Sequence, residues 1–246
     1  MVTVCCGGVE FTGIAAIIFD KDGTLEDSPA YLRALALKRS RLIDAQIPGV
    51  GEPLLMAFGV QGGEIDHQGL MVVGSRVENE IAAAAYIAET GRPWPEARHI
   101  ARQAFENADR TVTRDRTTSP PFPGVAETLE RLHRSGLTLG VLSAGTTPEV
   151  EEFVSYSELR PWLALELGHE PDGLAKPDPA LYRKACDRLH LPPEQTLMVG
   201  DSEFDWAMAR AAGAAGVVGI CWGNPGRVPA GKVDGAIGGL AEIKVV

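Results

Sequence analysis

Cysteine is scarce: four residues, Cys5, Cys6, Cys186 and Cys221, in a chain of 246. None sits at C-x-x-C spacing, and adjacent Cys5 and Cys6 are poorly placed to bridge each other, so reduced thiols are expected. Long apolar runs are missing, since nothing approaches the eighteen or so residues that cross a bilayer. The opening stretch MVTVCCGGVEF lacks the basic and apolar regions of a signal peptide, which makes the cytoplasm the expected address. Positive charge is also short, with 23 Lys and Arg against 33 Asp and Glu and a formal net charge of -10. That balance argues against a nucleic-acid partner, whose backbone is itself densely negative. It leaves small anions open, because a few local cations suffice to hold one. His67 and His99 have no partner at metal-ligand spacing and read as surface or packing residues. Internal repeats and low-complexity tracts are absent as well. What is present is ample apolar content, 45% of residues, enough for one large domain or a core with a smaller one inserted.

Short apolar runs mark the strands of that core. Ala15 to Phe19 (AAIIF) is followed at once by polar residues, the pattern of a buried strand opening into a loop. Similar runs recur at Leu137–Leu142, Thr196–Val199 and Gly216–Ile220. Helical patterns precede them, over Val125–His133 closed by Gly136, about Pro179–Leu189, and about Glu203–Ala212 ending at Gly213. Alternation of this kind predicts crossover connections and a doubly wound, Rossmann-like α/β core with a mostly parallel sheet. Residues 26–118 read differently. Tyr31–Ala45 gathers leucines on one side, Ser75 and Glu78 form a capping box before Ile81–Glu89, and Pro95 starts a helix reaching about Asp109. A Gly-rich stretch, Gln61–Gly74, has no predicted course. The expectation is an all-helical insert in a core made of 1–25 and 119–246.

Four places carry chemistry: Asp20-Lys-Asp22-Gly-Thr24, Ser143, Lys176 in AKPDP, and Gly200-Asp201-Ser-Glu-Phe-Asp205. Each follows a predicted strand or lies in a loop beside one, so all would converge beyond the carboxyl edge of the sheet. Asp20, Asp22, Asp201 and Asp205 would repel one another there unless a hard divalent cation joined them, and Mg²⁺ suits carboxylate oxygens. With Lys176 adding positive charge and Ser143 a hydrogen bond, the crevice fits a phosphoryl group. The spacing of Asp20 and Asp22 lets both carboxylates face one substrate, one attacking phosphorus and the other moving protons. Gly23 permits the tight turn between them and the phosphate.

At these residues the chain resembles the haloacid dehalogenase superfamily of phosphatases, through FDKDGTLEDS, LSAG, AKPDP and GDSEFD in that order. The resemblance spans about Ile14–Leu25 and Pro120–Gly223, and the helical insert lies where that family places a cap. It implies that Asp20 is nucleophile and metal ligand, and that Asp22 is general acid/base with its carbonyl on Mg²⁺. It implies that Ser143, Ala144, Gly145 and Lys176 hold the phosphoryl group. Asp201 would bind metal directly, and Asp205 would act through water or by orienting Lys176. The implied partner is a small phosphorylated metabolite such as phosphoglycolate or a sugar phosphate, met by a monomer or homodimer.

Blander and rival readings compete with this one. The segment from Asp20 is no calcium loop, because its glycine stands fourth rather than sixth and Tyr31 occupies the position needing Glu. Gly226-Arg-Val-Pro-Ala-Gly231-Lys232 nearly spells a P-loop, but Val233 replaces the required hydroxyl residue, so a surface loop is expected. Asp205 alone could merely complement a helix dipole. Arg76, Arg102, Arg110, Arg114 and Arg116 are expected to be mostly solvated, and Trp94, Trp162 and Trp206 to serve packing. A phosphosugar mutase would use the same aspartates, yet LEDSPAYL lacks the histidine expected of that relative. A dehalogenase needs no acid at Asp22, because halide leaves unprotonated. A binding protein that keeps the core without turnover is the alternative outside enzymes.

Overall fold

The computed structural model describes residues 1–66, 68–169 and 173–246, so the reading of His67 falls outside the described residues. The chain divides into two compact units, Met1–Asp27 with Pro120–Val246, and Ser28–Ser119.

The first unit opens on a hairpin, β1 (Val2–Cys6) and β2 (Val9–Ile14). It turns on Gly7 and Gly8, whose φ values of 56° and 80° are what a two-residue hairpin loop requires. The strand β3 (Ala16–Phe19) follows. The second unit then runs α1 (Pro29–Asp44), α2 (Gly51–Ala57), β4 (Val60–Gln61), β5 (Glu64–Ile65), α3 (Leu70–Val73), α4 (Arg76–Glu89) and α5 (Trp94–Thr111). The first unit resumes with α6 (Val125–Arg134), β6 (Thr138–Thr146), α7 (Thr147–Tyr156), β7 (Leu165–His169), α8 (Pro179–Leu189), β8 (Thr196–Gly200), α9 (Glu203–Ala212), β9 (Gly216–Ile220), β10 (Gly235–Ile237) and β11 (Lys244–Val245).

Six strands form one parallel sheet in the order β10-β9-β8-β3-β6-β7. The central strand β3 is fully buried because both faces of the sheet are covered. Ile17 and Phe19 enter one hydrophobic core with Leu139, Val141, Leu197 and Val199, while Ile18 faces a second with Leu142, Met198 and Val217. The doubly wound core expected from the alternating pattern is therefore present. A three-stranded antiparallel sheet, β11-β1-β2, adds Val4, Cys6, Phe11 and Ile14 to the first of these cores.

The second unit holds its own core, in which Leu32, Leu35, Leu54, Phe58, Ile87 and Phe105 pack together. Ser75 and Glu78 make the expected reciprocal cap of α4. Among the described residues the unit's regular elements are helical apart from the β4–β5 hairpin, which turns on Gly62 and Gly63 with φ of 57° and 87°. The described residues of the Gly-rich stretch include the turn and second strand of this hairpin and the short α3. Arg76 is half-buried: it pairs with Glu80 at 2.8 Å, binds Asp109 and lies over the Phe105 ring. Trp94 is exposed rather than packed, whereas Trp206 is buried and donates to the Gly200 carbonyl at 2.9 Å.

Candidate active site

The carboxyl edge of the parallel sheet is where the sequence motifs meet. Asp20 leaves β3 with its N–H on the Val199 carbonyl of β8 at 2.8 Å, so the two strand ends stay in register up to the site. The next residues form a tight loop in which the Lys21 carbonyl accepts from Leu25 and Glu26 at 2.9 and 2.8 Å. Gly23 makes the turn with φ of 78°, and a Cβ there would stand 2.1 Å from Asp201 Oδ2. Only glycine fits, for backbone and steric reasons together. Ser143 sits in β6 where its pairing with β7 shifts register, buried, with its Oγ accepting the Gly145 N–H at 3.1 Å. Ala144 and Gly145, both half-buried, lead into the capping box of Thr146 and Glu149 that starts α7.

Lys176 closes the site from the segment before α8. Its buried Nζ lies 2.5 Å from Asp20 Oδ1 and 2.5 Å from Asp205 Oδ1. Asp205 serves two purposes at once. Its Oδ2 accepts from Ser202 N and Oγ at 3.2 and 2.7 Å, capping α9, while Oδ1 holds the lysine. One side chain thus both caps α9 and pairs with Lys176. Asp20, Asp201 and Asp205 each offer an oxygen within 4.8 Å of the others, a set that could hold a metal ion; the Asp22 carboxylate stands outside that set.

The electrostatics suit a divalent cation. Burial pushes the Asp20 carboxyl up to about 7, despite the opposing attraction of Lys176, and Asp205 and Asp22 push it the same way. Burial also lifts Asp201 well above the carboxylate range, with Asp20 and Asp205 adding repulsion. Lys176 is raised in turn: burial works against its charge, but the Asp20 and Asp205 charges outweigh it. One ammonium among three carboxylates leaves negative charge uncompensated, and an all-oxygen donor set is what a hard divalent ion takes.

A neighbouring cluster escaped the sequence reading. Lys21 is fully buried, with Nζ 2.5 Å from Asp22 Oδ2 and 2.6 Å from Glu26 Oε2, and Tyr156 Oη donates to Glu26 Oε1 at 2.5 Å. Lysine between two motif aspartates gives no signal of burial, since lysines are almost always exposed. The acidic residue five positions on was the available hint.

The fold and this edge define a class: a Rossmann-like α/β enzyme that concentrates carboxylates and a buried lysine at the carboxyl ends of its strands. A family model for haloacid dehalogenase-like hydrolases matches residues 14–213. The chain belongs to that family, and it is a hydrolase. It is 30% identical over 218 residues to a phosphoglycolate phosphatase of Salmonella typhi, covering 87% of this chain and 84% of the relative. Among solved structures it is similar to one of a predicted phosphoglycolate phosphatase from Haemophilus somnus 129PT, with 24% identity, a TM-score of 0.64 and coverage of 85% and 86% of the two chains. It is also similar to a 2-haloacid dehalogenase from Pseudomonas syringae pv. tomato DC3000, with 24% identity, a TM-score of 0.61 and coverage of 93% and 96%. These two likenesses bear on fold alone, and proteins named for different reactions share it. Among the described residues no helix is long and apolar enough to cross a membrane.

Proposed function

We propose that this hydrolase is a Mg²⁺-dependent phosphatase of small phosphate monoesters, with phosphoglycolate the leading candidate, working in the cytoplasm. The observation that carries the reading is Lys176, buried and bonded to both Asp20 and Asp205, beside a third carboxylate at Asp201. Asp20 attacks phosphorus through a carboxylate oxygen, forming an aspartyl phosphate as the ester P–O bond breaks. Asp22 gives a proton to the departing oxygen. Water then attacks phosphorus, Asp22 takes its proton, and the bond from phosphorus to Asp20 breaks to release inorganic phosphate. Ser143 donates to the phosphoryl group, with Ala144 and Gly145 shaping the loop around it, and Lys176 neutralises it.

Mg²⁺, when bound by Asp20, Asp201 and the Asp22 carbonyl, supplies the charge that lets the phosphate enter an acidic crevice. Both Asp205 oxygens are already engaged, by Lys176 and by Ser202, which favours orientation of Lys176 over direct metal ligation. The inserted helical unit is the proposed cap, the segment that selects among monoesters. A proton donor beside the nucleophile supports alkoxide rather than halide departure.

The test is phosphate release from a panel of small monoesters with and without Mg²⁺. Metal-dependent release, lost in Asp20→Asn, is expected. Folded protein loaded with Mg²⁺ that releases phosphate from none of them would overturn the reading in favour of a mutase or a binding protein.

A further inference from the structure

The buried pair beside the site carries an inference of its own. Lys21 and Glu26 are both fully buried, and Lys21 lies 5.8 Å from the centre of the Phe153 ring. The Tyr156 ring packs edge-on against Phe153, with centroids 5.7 Å apart, and its hydroxyl donates to Oε1 of Glu26. Backbone bridges from Glu26 to Asp22 and Pro121 fix the loop around them. The chain of contacts therefore runs Tyr156–Glu26–Lys21–Asp22, starting on α7 and ending on a carboxylate that is 20% exposed. A buried ion pair is a poor source of stability, because apolar residues of similar volume do as well. Here its ammonium emerges on one oxygen of Asp22. The Asp22 carboxylate stands outside the Asp20–Asp201–Asp205 oxygen set and is paired with Lys21 of this second network.

We propose that Lys21, anchored by Glu26 and Tyr156, is a positioning residue that fixes the Asp22 carboxylate for proton transfer to the leaving group; this rests on the phosphatase reading above. A network that only stabilised the fold would scale all reactions alike. One that aims Asp22 matters most when the departing oxygen needs a proton, and least when it leaves readily as an anion.

The test compares a series of substituted phenyl phosphates, from p-nitrophenyl to unsubstituted phenyl, in wild type, Tyr156→Phe and the charge-neutral double variant Lys21→Met/Glu26→Gln. The ratio of kcat/KM for p-nitrophenyl over phenyl phosphate is expected to rise about tenfold or more in the double variant, within the span that general acid catalysis contributes. A smaller rise, about threefold, is expected in Tyr156→Phe, which leaves the ion pair in place and carries the test if the double variant does not fold. Equal losses along the series in the folded variants would overturn the proposal while leaving the phosphatase reading intact. Wild-type protein inactive on this series and on the panel of small monoesters alike would overturn both.

Discussion

Gly23→Ala is the substitution whose outcome the geometry fixes most closely. The new methyl would stand 2.1 Å from Asp201 Oδ2, and the backbone would remain at φ of 78°. A left-handed backbone costs a non-glycine residue about 1–2 kcal/mol. The contact costs more in function than in stability, because Asp201 must retreat from 2.1 Å to 3.4 Å to reach ordinary van der Waals distance, and a misplacement of about 1 Å can already lower a rate about 10²-fold. Gly213→Ala provides the control. Gly213 has φ of 93° with nothing within 4 Å of its would-be Cβ, so that variant meets the same backbone cost and no contact. Both variants should melt lower by a few degrees, at about 2–4 °C per kcal/mol for a chain of this size. Only Gly23→Ala should lose about 10²-fold in kcat/KM and need more Mg²⁺ for half-maximal rate. Thermal unfolding and a Mg²⁺ titration of phosphate release read the two effects separately. Equal activity in the two variants would refute the claim that Gly23 holds Asp201 in place.

Other outcomes follow from the same site. Burial pushes Asp20 up to about 7, so the folded, metal-free protein holds a proton there that the unfolded chain releases near pH 4. Stability from that group is full below about pH 4 and is lost as pH rises towards 7. The melting temperature of wild type relative to Asp20→Asn, measured in chelator, should therefore fall across that window, and Mg²⁺ should stabilise wild type more at pH 8 than at pH 5; a rising difference would contradict the sign. Asp205→Asn removes one of the two carboxylates on Lys176 and weakens the α9 cap; a loss of about 2 kcal/mol in denaturant unfolding is expected, and unchanged stability would count against the dual role. Burial pushes the Cys6 and Cys186 thiols up to about 12 and about 11, while Cys5 and Cys221 are only partly buried. A thiol reagent at pH 8 should therefore label Cys5 and Cys221 in the native protein and reach the other two only after denaturation.

The parts of the molecule legible from sequence are those with local signals. AAIIF, the capping box at Ser75 and the stops at Gly136 and Gly213 each declare their element within a few residues. The aspartates and Lys176 could be placed together because strand ends in a parallel sheet share one edge. The strand pairing β1 with β11 was not legible, since Val4 meets Val245 across nearly the whole chain, and neither short strand announces its partner. The hairpin turns at Gly7-Gly8 and Gly62-Gly63 did carry a readable two-glycine signature. The T-x-x-E spacing of Thr146 and Glu149 is likewise a readable capping box, opening a helix that the expectations above do not include. Burial of Lys21 could not be read, because it depends on Tyr156 from a distant helix arriving over Glu26.

The discontinuity of the first unit governs the order in which the protein can be built. Residues of β3 leave the ribosome early, yet the strands that flank it, β6 and β8, are made more than a hundred residues later. The helical unit between them is continuous in sequence and owns its core, so it can condense while β3 waits unpaired. During that interval Ala16-Ile-Ile-Phe19 is an uncovered apolar strand with both edges open, the kind of segment that invites association between nascent chains. The strand that ends on Asp20 is the first piece of the parallel sheet to be synthesised and among the last to be sheltered.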